Sequence, residues 1–302
     1  MKRIALVMAL APPLVFLGAA FFRAQRADYG WRPPFETPSF PDRHPRVLFD
    51  EGHCNASSVG FAGRYWPFGR LLRADGYELM RGTDPFTPAL LEKVQVLVIA
   101  NASGAPKRQF FGINIPGKSV RKRSDPAFTA AEIEAVRTWV AGGGSLLLIA
   151  DHAPFGESAS ALAAAFGVAM HKGFAGVPGE SDPLLFSAGN GRLGVHPITR
   201  GVRRVVTYTG QSLDGPAGAS VLLRLPPTAK ESVEREGTFV ELPAGTAQGL
   251  AFPFGKGRVV VLGEAAMMTA QVDALRPFGM NVPGNDNVQF ARNALRWLAR
   301  AL

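Results

Sequence analysis

Residues 128–155, FTAAEIEAVRTWVAGGGSLLLIADHAPF, decide how the chain is read. Thr129-Ala-Ala-Glu132 has the spacing of a capping box, in which hydroxyl and carboxylate each satisfy a backbone N–H at a helix start. Ile133, Val136 and Val140 then recur at helical spacing, and the glycines at 142–144 stop the helix. The apolar run 146–150 is too short for a helix and follows that stop directly, as a buried parallel strand does. It ends on Asp151-His152-Ala153-Pro154, a carboxylate and an imidazole at the point where the strand leaves the sheet. Helix, tight turn, buried strand and polar end make one unit of an α/β fold.

Outward from this stretch the pattern repeats. Runs at 47–49, 96–100 and 259–262 are further strand candidates, and 77–80 is a weaker one. Residues 65–74 form a helix with Phe68, Leu71 and Leu72 on one side, closed by Asp75-Gly76, and a last helix runs from about 286 to 301. Alternating strands and helices predict a flavodoxin-like, doubly wound, mostly parallel sheet. From about 205 to 261 short strands and turns take over, with a hairpin at Phe254-Gly-Lys-Gly257. This is read as an antiparallel β extension of the same domain in the C-terminal third.

Ahead of the domain, Lys2 and Arg3 precede an uncharged apolar run at 4–22 closed by Arg23. That is the pattern of a secretory signal, and the run is also just long enough to span a bilayer. Gly18 and Ala20 allow cleavage before Phe21, so residues 1–26 are read as a signal peptide or an uncleaved membrane anchor. Either reading places the protein outside the cytoplasm, periplasmic or otherwise extracytoplasmic. Residues 27–45, with Pro33, Pro34, Pro38, Pro41 and Pro45, read as a semi-rigid tether, and 46–302 as the folded domain.

A net charge of +9 raises the question of nucleic acid. Lys2, Arg3, Arg23 and Arg26 belong to the targeting region, and subtracting them from +9 leaves +5. Much of the remainder falls between Lys107 and Arg123, a stretch read as a solvated loop. No recognised nucleic-acid motif accompanies it, so no nucleic-acid partner is expected. Cys54 is the only cysteine, which excludes an intrachain disulfide and zinc sites built on several thiolates.

Ligands of open parallel sheets bind beyond the carboxyl ends of the strands, and polar residues collect there in this sequence. The first strand runs into Asp50, Glu51, His53, Cys54 and Asn55, and the 96–100 strand into Asn101. The 146–150 strand ends on Asp151 and His152, and the late strand on Glu264, with Gln271 following. Asp50, His53, Asp151, His152 and Glu264 are the candidate catalytic residues, since carboxylate and imidazole sets suit general acid–base chemistry. Glu51, Asn55, Asn101 and Gln271 are candidate ligand contacts. A divalent metal ion is a further candidate, held by His53, Asp151 and His152, although no recognised metal-binding spacing is present.

With these residues identified, the chain resembles the class I glutamine amidotransferase-like superfamily, and within it an exported family of unknown function. The matching pieces are VLFDEGHCN, RYWPFGRLLRADGY, VQVLVIAN, the 128–155 stretch, HPIT, GRVVVLGEAAMMTAQ and DNVQFARNALRWL, spread over about residues 46–300. The resemblance implies the fold. It also implies a nucleophilic cysteine after the long helix's strand, where this chain has Ile149-Ala150-Asp151-His152-Ala153-Pro154. Glutamine hydrolysis through a thioester is therefore not expected, and Cys54 follows a different strand. Two functions stay open: a hydrolase using the carboxylate and histidine groups, or a non-catalytic module binding a sugar or cell-envelope ligand at the membrane.

Overall fold

The computed structural model describes residues 24–302 except 62, 107, 108, 111, 112, 115–118, 181 and 182. The expectations for the N-terminal apolar run, and for the first half of the basic stretch after Lys107, lie outside the described residues. Among the described residues no helix is long and apolar enough to cross a membrane.

The fold is mixed α/β around a nine-stranded sheet. Its strands are β1 (Arg46–Asp50), β2 (Glu78–Gly82), β3 (Val96–Ala100), β4 (Ser145–Ile149), β5 (Ala169–Met170), β6 (Leu213–Asp214), β7 (Ser220–Arg224), β8 (Ala247–Phe254) and β9 (Gly257–Leu262). The spatial order is β2-β1-β3-β4-β9-β8-β6-β5, with β7 also paired to β8. The first five of these run parallel, and everything beyond β9 is antiparallel. A parallel core in this order is consistent with a flavodoxin-like fold.

Five helices are described: α1 (Trp66–Ala74), α2 (Pro88–Leu91), α3 (Ala130–Gly142), α4 (Phe155–Ala164) and α5 (Asn287–Leu298). The strand side chains alternate between two cores, as a period of two requires. Val47, Phe49, Val98, Leu147 and Val260 pack with Phe68 and Leu72 of α1 and with Phe290 and Leu295 of α5. Leu48, Leu97, Leu146, Leu148 and Val261 pack with Val136 and Val140 of α3 and Leu162 of α4. The central strands are buried on both faces, which is why they read as unbroken apolar runs. Each fully buried leucine or phenylalanine contributes about 1.5–3 kcal/mol by leaving water.

The capping box forms with both arms: Glu132 N–H donates to Thr129 Oγ1, and Thr129 N–H donates to Glu132 Oε2 at 2.9 Å. At the other end of α3, Gly143 takes φ 130°, and a Cβ on Gly144 would lie 2.3 Å from the Trp139 ring. Gly143 is thus needed for backbone sign and Gly144 for close packing.

Two features differ from the sequence reading. Helix α4 was not anticipated, because its buried side is built largely from Gly156, Ser158, Ala159 and Ala163, which show no strong apolar stripe. The stretch expected as a tether lies along the domain instead of standing off from it. Arg26–Ala27 pairs with Ala270–Asp273, Phe40 is buried against Tyr77, and Arg292 bonds to Asp75 and Ser39. Aromatics between the prolines supply apolar area that packs on the domain, so the described chain is ordered against it well before Arg46.

Candidate functional site

Strands β3, β4 and β9 are neighbours, and each ends on a polar residue: Asn101, Asp151 and Glu264 respectively. Asn101 adopts a left-handed φ of 50°, and its Oδ1 accepts from the Asp151 N–H at 2.9 Å. Asp151 Oδ1 accepts from the His152 N–H at 2.9 Å. Glu264 accepts the N–H groups of Ala266 and Met267 at 2.8 and 2.7 Å, one on each oxygen. These contacts fix both carboxyls at the mouth of the sheet.

They border one cavity of about 250 Å³, whose wall also includes Asn101, His152 and Gln271. Its remaining wall brings Arg64, Tyr65, Arg123, Phe155 and Phe278, and Gln25 from the segment before the first short strand. The Tyr65 hydroxyl donates to Ala265 O at 2.7 Å, and burial pushes its phenol well above the ordinary range, so it stays neutral. His152 Nδ1 donates to Ala153 O at 2.7 Å, which leaves Nε2 as the acceptor of the neutral ring. The ring stacks on Phe174 at 4.5 Å.

Burial dominates the electrostatics. It pushes the Asp151 carboxyl up to about 6, against the opposing pull of His152, Arg64 and Asn101. It holds Glu264 well above the ordinary carboxylate range, helped by the charge of Asp151 and only partly offset by the backbone donors. Two buried acids bordering one cavity cannot both ionise cheaply, so the arrangement keeps one protonated while the other titrates near neutrality.

Asp50, His53, Glu51 and Asn55 do not line this cavity. His53 Nδ1 bonds Asp50 Oδ1 and its Nε2 bonds Glu132 Oε1, each at 2.8 Å. Asn55 donates to Asp50 Oδ2 and Ala100 O. Glu51 accepts from Ser58, Val59 and Arg81. The polar groups of this loop are therefore spent on one another and on α3. With both ring nitrogens engaged, His53 has no lone pair for a metal, and it stands apart from Asp151 and His152. Among the described residues no group of three or more His, Cys, Asp or Glu is placed to hold a metal ion.

Sequence reasoning missed Arg64 and Arg123 as cavity residues. Arg123 belongs to the basic stretch read as a solvated loop, yet its guanidinium sits 4.9 Å from the Phe155 ring centroid. Nothing in a single sequence separates these arginines from exposed ones. The elbow chemistry of the amidotransferases has no counterpart after β4: the N–H groups of His152, Ala153 and Phe155 all donate within the fold, and Pro154 has none.

No family model and no curated protein matches the chain. Solved structures do. The N-terminal domain of mmIFT52 superposes with a TM-score of 0.55 at 15% identity, covering 84% of this chain and 97% of that one. A ThuA-like protein from Bacteroides uniformis gives 0.49 at 16% identity, covering 87% and 93%. Another from Parabacteroides merdae gives 0.44 at 12%, covering 85% and 90%. The likeness is one of fold. It carries no activity across, and the cavity must be read from its own residues.

Proposed function

We propose that this chain is an exported hydrolase on an amidotransferase-like fold, working by acid–base catalysis without a covalent thioester. The observation that carries the reading is the pair Asp151 and Glu264, delivered by adjacent strand ends into one buried cavity with opposed protonation. Ionised Asp151 takes a proton from the attacking water, while protonated Glu264 gives one to the leaving atom. His152, with Nε2 free to accept, and the Asn101 amide that positions Asp151 support the pair. The basic start and apolar run at 2–22 support export, with the domain held at the membrane or released from it.

The test is hydrolysis of nitrophenyl esters, phosphoesters and glycosides by the purified chain, beside Asp151→Asn and Glu264→Gln. Turnover of one class, reduced roughly 10²–10⁴-fold in Asp151→Asn, is expected. Saturable binding of a sugar or cell-envelope fragment with no turnover of any class contradicts the enzyme and supports a binding module.

A further inference from the structure

Two guanidinium groups border the Asp151–Glu264 cavity, and among the described residues neither is spent on a close ion pair. Both residues are fixed through their backbones. The Thr269 hydroxyl donates to Arg64 O at 2.7 Å, and Gly104 N–H donates to Arg123 O at 2.9 Å. Phe155 lies beneath the Arg123 guanidinium. Among the described residues neither side chain makes an ion pair within 4 Å, and the Nε of each is buried without a hydrogen-bond partner. Burial leaves Arg64 less readily charged than an ordinary guanidinium; the charges of Asp151 and Asp273 pull the other way, and Arg123 adds a smaller repulsion.

A half-buried cation whose Nε is shut off from water and unpaired is costly, and a second one beside it raises the cost. Surface arginines escape by turning outward. These two are held at a cavity wall by their backbones and by an aromatic ring; Asp151 and Asp273 offset the charge of Arg64 in part without a close ion pair, and the charge of Arg123 is left for a bound anion to answer. A guanidinium presents its N–H groups in a planar fork that fits the two oxygens of an oxyanion. Gln271, 3% exposed on the same wall, has an amide oxygen with no donor to it. It suits an N–H or O–H next to the anion. The volume of about 250 Å³ is below the ~300 Å³ at which drug-sized pockets begin, so the bound group is small.

We propose that Arg64 and Arg123 form an oxyanion-binding subsite, and that the substrate of this cavity carries a carboxylate or phosphate held between them. The inference rests on the hydrolase reading only in calling the bound molecule a substrate; the subsite itself is measured without turnover.

Isothermal titration calorimetry of the full chain with sodium acetate, sodium phosphate and glycerol, at ionic strength fixed with sodium chloride, tests it. One of the two anions binds saturably at one site, glycerol does not, and Arg64→Gln and Arg123→Gln each weaken binding roughly tenfold or more. Preference for acetate assigns a carboxylate, and preference for phosphate a phosphoryl group. Near-UV circular dichroism shows which variants fold, and Arg123→Gln, on a loop, carries the test should Arg64→Gln fail to fold. Folded wild-type protein binding neither anion, or binding unchanged in a folded variant, overturns the subsite. Asp151→Asn removes a negative charge beside the anion and binds it at least as tightly. Anion binding with no turnover of any substrate class therefore sinks the hydrolase and leaves the subsite standing.

Discussion

His53 Nε2 meets Glu132 Oε1 at 2.8 Å, tying the loop after β1 to the first turn of α3. On its other side the ring bonds Asp50 Oδ1, and Phe86 and Phe128 flank it with centroids at 4.5 and 4.8 Å. Ionised carboxylates only accept, so a ring bonded to two of them donates from both nitrogens and is an imidazolium. Burial opposes that charge, but the bonds to Asp50 and Glu132 outweigh it and raise the His53 pKa. The capping glutamate and the histidine read as catalytic are parts of one structural clasp.

Breaking the clasp leaves buried carboxylates uncompensated. His53→Ala is expected to cost about 3–5 kcal/mol in urea unfolding while leaving the cavity residues in place. A midpoint equal to wild type shows that the clasp holds nothing.

The clasp also sets two pH limbs. His53 is raised, so its contribution is complete below about 6.5 and fades as pH climbs through the folded value. Glu132 behaves oppositely. Burial alone raises it, yet the Thr129 and His53 bonds draw it from 4.5 to about 2, so its contribution is complete above 4.5 and is lost toward 2. Thermal melts from pH 2 to 9 are expected to show both losses, and His53→Gln to show a shallower alkaline one, with the part set by Glu264 remaining. An unchanged alkaline slope in that variant rules the imidazolium out.

Glu264 has the reverse sign. Its acid form is favoured in the fold, so stability falls as pH rises from the ordinary 4.5 toward the elevated folded value. Glu264→Gln removes the ionisation and keeps one acceptor oxygen, while its NH2 replaces the oxygen that served the other of the Ala266 and Met267 N–H groups. The variant is expected to flatten the fall of stability above pH 5 relative to wild type, while abolishing turnover. A slope above pH 5 equal to wild type contradicts the assignment.

The proline-rich stretch makes its own prediction. Phe40 is 5% exposed and packs edge-on to Tyr77 at 4.8 Å. Phe40→Ala is expected to cost about 3–5 kcal/mol in urea unfolding. A free spacer would show no change.

The architecture was largely legible because the apolar strands, the Thr129–Glu132 box and the glycine stop are local signals with one physical meaning each. The expected strand at 96–100 coincides with β3, and the Phe254-Gly-Lys-Gly257 hairpin joins β8 to β9. Of the site, Asn101, Asp151, His152, Glu264 and Gln271 share the cavity, since neighbouring parallel strands bring their ends together. Asp50 and His53 end an equally parallel strand, but a partner 79 positions away, Glu132, claims the ring. No local pattern announces such a partner. The arginines were hidden for the same reason: exposure depends on what folds over them.

The most direct measurement is a carbon-13 titration of the side-chain carboxyls of Asp151 and Glu264, assigned through Asp151→Asn and Glu264→Gln. Asp151 titrating near 6, with Glu264 still protonated above it, is the predicted result. Both groups titrating in the ordinary carboxylate range would mean two solvated, independent acids and no catalytic pair.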